Sequence, residues 1–130
     1  MSGPYARQGY TPLCHCLTFN QYDVARLLLA QERLDPNLGP TDEFPLLCAV
    51  ILNLQDIVEL LLYLKQLDAN KQTSDGTTPI LEAIDVGNPE VIKMLAKTGA
   101  NPDIETSQGR TARRQALAAG VRVKWRTQPV

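Results

Sequence analysis

The sequence is poor in the residues from which reactive sites are built: one histidine, His15, and three cysteines, Cys14, Cys16 and Cys48, in 130 residues. A single histidine excludes multi-histidine metal sites and leaves any serine or cysteine nucleophile with one candidate base. An odd cysteine count without a C-x-x-C pair argues against a disulfide framework, because Cys14 and Cys16 are two apart and would not face each other on a helix. Cys14-His15-Cys16 fails as a metal site for a related reason: consecutive helical residues diverge by about 100°, so the three cannot converge on one ion. Cys16 then reads as a small packed residue, His15 as a helix-surface residue, and Cys48 beside Ala49 as another small hydrophobe. There is no P-loop, dinucleotide-binding glycine pattern or nucleophile elbow, and the carboxylates form no paired motif. The sequence therefore offers no catalytic residue, metal ligand set, cofactor site or small-molecule substrate site, and reads as a non-enzyme.

Long apolar runs are missing too. The first residues lack an apolar h-region, and nothing approaches the roughly 18 to 20 apolar residues that cross a bilayer. With its unpaired thiols, the chain reads as intracellular, cytoplasmic or nuclear. What is present is the composition of one folded domain, 44% hydrophobic and 21% charged, with 9 Pro and 8 Gly scattered as punctuation. Disorder and collagen are excluded.

The organising feature is a period. Thr11-Pro12-Leu13, Phe44-Pro45-Leu46, Thr78-Pro79-Ile80 and Thr111-Ala112-Arg113 recur at steps of 33, 34 and 33 residues. The threonines suit helix N-caps and the prolines the first helical turn, while Phe44 forgoes the cap. A small residue follows five positions later (Cys16, Ala49, Ala83, Ala116). Four further on come Asn20, Asn53, Gly87 and Gly120, which tolerate the left-handed backbone that ends a helix. A second apolar stripe at helical spacing succeeds each stop: Val24, Leu27 and Leu28; Ile57, Leu60 and Leu61; Val91, Met94 and Leu95. Asp23, Asp56 and Glu90 sit near the start of these stripes, where they complement the helix dipole. Turn-forming stretches follow. Helices this short cannot hide their apolar faces alone, so neighbouring units must stack.

Gly9 to Leu13, Asp75-Gly76-Thr77-Thr78-Pro79 and Gly99-Ala100-Asn101 resemble the ankyrin repeat, and the resemblance covers nearly the whole chain. It implies an all-α, L-shaped solenoid of stacked helix-turn-helix units with hairpin fingers. The chain would form one domain over 1–130, with repeats at about 7–39, 40–72 and 73–105 and a partial repeat at 106–130. The family's frequent histidine after Thr-Pro-Leu is replaced by Cys14, Leu47, Leu81 and Arg114. Repeats one and two carry an extra residue before the finger, as in Gln31-Glu32-Arg33-Leu34. In repeat four Thr127 and Gln128 replace Met94 and Leu95, which gives a polar, incomplete second helix, either a cap or a truncation. Tyr5 or a missing neighbour would cover the open side of repeat one, and the chain reads equally as a fragment of a longer array.

The same resemblance implies a concave binding face made of finger tips and the solvent side of each first helix. Repeat one would contribute Tyr10, Thr18 and Phe19, and repeat two Glu43, Ile51 and Leu52. Asp75, Thr77, Asp85 and Val86 would come from repeat three, and Gln108 and Arg110 from repeat four. Phe19, Ile51, Leu52 and Val86 are apolar where polar residues are expected. Either they form an exposed interaction patch, or they cover helix ends and pack between repeats. Glu43, Asp75 and Asp85 would give that face an acidic rim suited to a basic or amphipathic segment of an unidentified partner protein, with the chain acting as a monomer. A structural spacer within a larger protein is the alternative.

Charge is the last signal. From Arg110 onward there are six basic residues and no acid, against seven basic and fourteen acidic before it, so a net charge of −1 conceals a body near −7 and a tail near +6. Such a tail could recruit nucleic acid or an acidic membrane. Against this, aromatics are only 5% of the chain, and Trp125 is the tail's one stacking residue. It reads as packing against repeat four.

Overall fold

The computed structural model describes residues 9–125, which form seven helices and, among the described residues, no strand. They are α1 (Pro12–Thr18), α2 (Tyr22–Leu29), α3 (Pro45–Ile51), α4 (Gln55–Tyr63), α5 (Pro79–Val86), α6 (Pro89–Lys97) and α7 (Ala112–Ala118). The first helices stack in the order α1, α3, α5, α7, the second helices as α2, α4, α6, and α1, α3 and α5 each pack on the second helix of their own repeat. The result is a two-layered solenoid. None of the described helices is long and apolar enough to cross a membrane.

Local chemistry sets the boundaries. Thr11, Thr78 and Thr111 accept hydrogen bonds at Oγ1 from the backbone N–H groups of Cys14, Leu81 and Arg114, at 3.3, 3.4 and 3.2 Å. Phe44 keeps the same extended backbone without a side-chain cap. Each first helix stops where Asn20, Asn53, Gly87 and Gly120 take φ of 62°, 57°, 81° and 71°. The left-handed turn lets the carbonyls of Cys16, Ala49, Ala83 and Ala116 accept from the N–H groups of Gln21, Leu54, Asn88 and Val121. These are the small residues of the period, and all four repeats close in this way.

The second helices carry two apolar stripes. Ile57 and Leu61, like Val91 and Leu95, are fully buried. Ala25 and Leu29, Val58, and Ile92 and Ala96, at the adjoining helical positions, are buried as well. In repeat one two members of the stripe are open, Val24 at 45% and Leu27 at 67% exposure, while Leu28 is partly buried against the core; Leu60 of repeat two is likewise exposed. No preceding helix lies against Val24 and Leu27 among the described residues, and Tyr5 falls outside that range.

Repeat four departs from expectation more strongly. Residues 121–125 are not helical where a second helix should begin. Val121-Arg122-Val123-Lys124-Trp125 alternates apolar and basic residues, a period of two that favours extended chain. Val121, Val123 and Trp125 are accordingly half-buried against the core, while Arg122 and Lys124 are exposed. The reading of an incomplete second helix is therefore corrected over this stretch; Thr127 and Gln128 lie outside the described residues. Trp125 does meet repeat four, where the Arg113 guanidinium lies 5.9 Å from its ring centroid.

Successive repeats are also stitched by polar side chains. Asn37 accepts from the Asp68 N–H at 2.7 Å and donates to the Gln66 carbonyl, and Asn70 accepts from the Asn101 N–H at 2.8 Å. Arg113 binds both carboxylate oxygens of Asp103, at 2.8 and 3.2 Å, and holds that carboxyl below its usual pKa. Stability from Asp103 is thus present above the ordinary aspartate pKa and lost as pH falls through the lowered value.

Candidate functional site

The fingers preceding α5 and α7 are tight turns. Thr73 and Thr106 donate from their N–H groups to the Thr77 and Arg110 carbonyls, both at 2.9 Å. In the first of them Asp75 accepts from the hydroxyls of Thr73 and Thr77 and from the Thr77 N–H, which lowers its pKa. Asp75 and Thr77 therefore shape the finger as well as decorate it. Adjacent fingers are tied together: the Asp42 carboxylate accepts from the N–H and hydroxyl of Ser74, and the Asp75 carbonyl accepts from the Ser107 N–H at 2.8 Å.

Two contacts place finger tips and first helices on one face. Tyr10 meets the ring of His15 edge-on, with centroids 6.3 Å apart, and His15 lies 4.7 Å from the ring of Phe19. At the other end Arg110 Nη2 binds both oxygens of Asp85, at 2.8 and 3.0 Å, joining the finger of repeat four to the end of α5. Between these contacts runs an apolar strip whose members are all open: Phe19 at 51%, Ile51 and Leu52 at 47%, and Val86 at 45% exposure. These four side chains are therefore open to solvent and not packed between repeats. Thr18 is exposed beside Phe19, and Glu43 is half-buried with its carbonyl accepting from the Cys48 thiol at 3.2 Å. Gln108 is exposed on its finger.

The acidic rim needs one correction. Asp85 is paired with Arg110, so neither presents an uncompensated charge. The unexpected carboxylate is Glu82, half-buried one helical turn before Asp85. Burial pushes its pKa up first, followed by repulsion from Asp85, while Arg110 pulls the other way. Its register is legible after the fact, since Glu82 repeats the places of His15 and Cys48. The sign of its effect follows: a raised folded pKa means that stability is fully present below the unfolded value of about 4.3 and lost as pH rises through the folded value. Glu82→Gln should therefore raise the melting temperature at pH 7 and leave it unchanged below pH ~4. Thermal melts of both proteins across that range check this, and equal melting temperatures at pH 7 would refute it.

The face thus grades from aromatic and apolar in repeats one and two to acidic in repeat three, ending on the Arg110 ion pair. No disulfide joins the three cysteines; Cys14 and Cys16 are buried, and burial raises the Cys16 pKa. Among the described residues no three His, Cys, Asp or Glu side chains are grouped to hold a metal ion.

Comparison with family models gives two matches: ankyrin repeats in three copies over residues 46–122, and a single ankyrin repeat over residues 8–39. Comparison with curated proteins gives no significant match.

Proposed function

Because this chain belongs to the ankyrin-repeat family, whose repeats generally serve as protein–protein interaction modules, we propose that it is a non-catalytic module binding a partner protein through its finger-bearing face. The observation that carries this reading is the open strip of Phe19, Ile51, Leu52 and Val86, four large apolar side chains at the ends of three successive first helices. Water-exposed apolar area of this continuity favours association. Tyr10 and His15 extend it with aromatic surface, and Glu82, with Glu43 and Asp75, biases it toward a segment that combines apolar and basic residues, while Asp85 is neutralised by Arg110. Thr18, Thr77 and Arg110 complete the face. Three cysteines outside any disulfide, two of them buried, support an intracellular setting in the cytoplasm or nucleus. The module acts as a monomer, without cofactor or small-molecule substrate.

The test is recovery of the bound partner from an extract of the source cells, followed by titration of the purified pair. Phe19→Asp with Leu52→Asp should weaken binding at least about ten-fold while helical circular dichroism is unchanged, as expected for central apolar anchors. Glu59→Ala, on the outer layer, should leave affinity as it is. Undiminished binding by the double variant would remove this face from consideration.

The open Val24 and Leu27 stripe favours a second reading, a structural spacer onto which a further repeat stacks. A chain lengthened by a repeat on that side should then melt at higher temperature and bind no partner through Phe19 and Leu52.

A further inference from the structure

The basic tail plays no part in the face described above, and its placement gives it a different use. A cleft of about 670 Å³ lies between α6 and residues 121–125, within the size range of ligand pockets. Ile92 and Ala96 form its floor, and Val123 and Trp125 line the opposite wall. In register, this is the slot that a second helix of repeat four would fill, as α6 fills the corresponding slot beside α4. Among the described residues, the non-helical segment 121–125 lines this slot and no helix fills it.

The rim carries one sign of charge. Lys93 and Lys97, one turn apart on α6, stand on one side, with Arg122 and Lys124 on the other. All four are exposed, and among the described residues no carboxylate lies within ion-pair distance of any of them. No Asp or Glu lines the cleft.

We infer that this cleft binds a short amphipathic acidic peptide segment, whose apolar side chains enter between Ile92 and Trp125 while its carboxylates meet the four cations. The apolar lining decides against nucleic acid, since a phosphate backbone gains from the rim alone and would strand the interior. The occupant has the opposite charge preference from the segment suited to the Phe19–Leu52 strip, so the two surfaces take different ligands. The inference stands independently of the proposed function.

Trp125 is the chain's one tryptophan and forms part of the cleft, so its emission reports occupancy directly. The probe is a synthetic peptide of about twelve residues with leucines at helical spacing and glutamates on their flanks. Titration into the full chain should shift Trp125 emission to the blue, saturably. The double reversal Lys93→Glu and Lys97→Glu, at exposed positions and checked for unchanged circular dichroism, should weaken binding at least about ten-fold. Phe19→Asp with Leu52→Asp should leave it unchanged, which separates this site from the partner face. Absence of a shift would overturn the inference. Equal affinity for a peptide of the same composition with scrambled leucines, for a single-stranded oligonucleotide, or for vesicles of anionic lipid would overturn it as well, because each would mean attraction to charge alone.

Discussion

Replacing Phe44 by Ala should lower the stability of the chain by about 4 kcal/mol, the range seen when a fully buried aromatic is deleted from a core. Phe44 is 1% exposed and is among the largest fully buried side chains. The Lys71 ammonium lies 5.1 Å from its ring centroid. It occupies the place where repeats one, three and four have a capping threonine, so the sequence has given up a cap worth about 1 kcal/mol for a ring worth several. Phe44→Thr tests which term is larger. The cap should return, and the loss should shrink only to about 3 kcal/mol, because the cavity remains. Repeat two lies between two neighbours whose stability depends on its faces, so the loss should appear as an earlier unfolding of the whole array and not of one segment. Urea titrations followed by circular dichroism measure both values. A Phe44→Thr chain as stable as the parent would show that capping, not burial, governs this position.

That position illustrates what the sequence discloses. The period exposed the caps, the small residues and the left-handed stops because each is a local requirement of one residue on its own backbone, and all four stops took positive φ. The strip of Phe19, Leu52 and Val86 was legible for the same reason, since equivalent register places equivalent side chains on one face. Pairings between repeats were not legible. Nothing in the spacing of 25 residues announces that Arg110 reaches Asp85, or that Asn37 and Asn70 reach the next repeat's backbone. Glu82 was hidden because its raised pKa comes first from burial, which the spacing of residues does not announce, and only then from Asp85 one turn away. Residues 121–125 were legible but misassigned: expecting a second helix overrode the alternation of Val121, Val123 and Trp125 with Arg122 and Lys124, which is the pattern of extended chain. The open Val24 and Leu27 show the complementary limit. An apolar stripe records which face seeks a neighbour, and the neighbour itself has to be supplied by other residues.

Gly76→Ala should cost about 3 kcal/mol, and its companion Gly87→Ala about 1 kcal/mol, although both glycines have similar backbone angles. Gly76 has φ of +90° and Gly87 of +81°, so any L side chain is strained at either site. The difference lies in what surrounds them. A Cβ on Gly87 would meet nothing within 4 Å, which leaves the strain as the whole cost. A Cβ on Gly76 would lie 2.9 Å from the Cα of Thr106 and 3.3 Å from the carbonyl oxygen of Glu105, both backbone atoms of the next finger. Backbone cannot rotate aside, so the two fingers must separate, and overpacking of this kind typically adds about 1 to 3 kcal/mol. Separation would also strain the bond from the Ser107 N–H to the Asp75 carbonyl and lead Arg110 away from Asp85, at the acidic end of the proposed binding face. Gly76→Ala should therefore weaken partner binding as well as folding, whereas Gly87→Ala should affect folding alone. Thermal and urea unfolding of the two variants, with affinity measured on the same preparations, separates the effects. Equal costs at the two glycines would mean that the fingers do not pack against each other in solution, and the face built on their alignment would lose its basis.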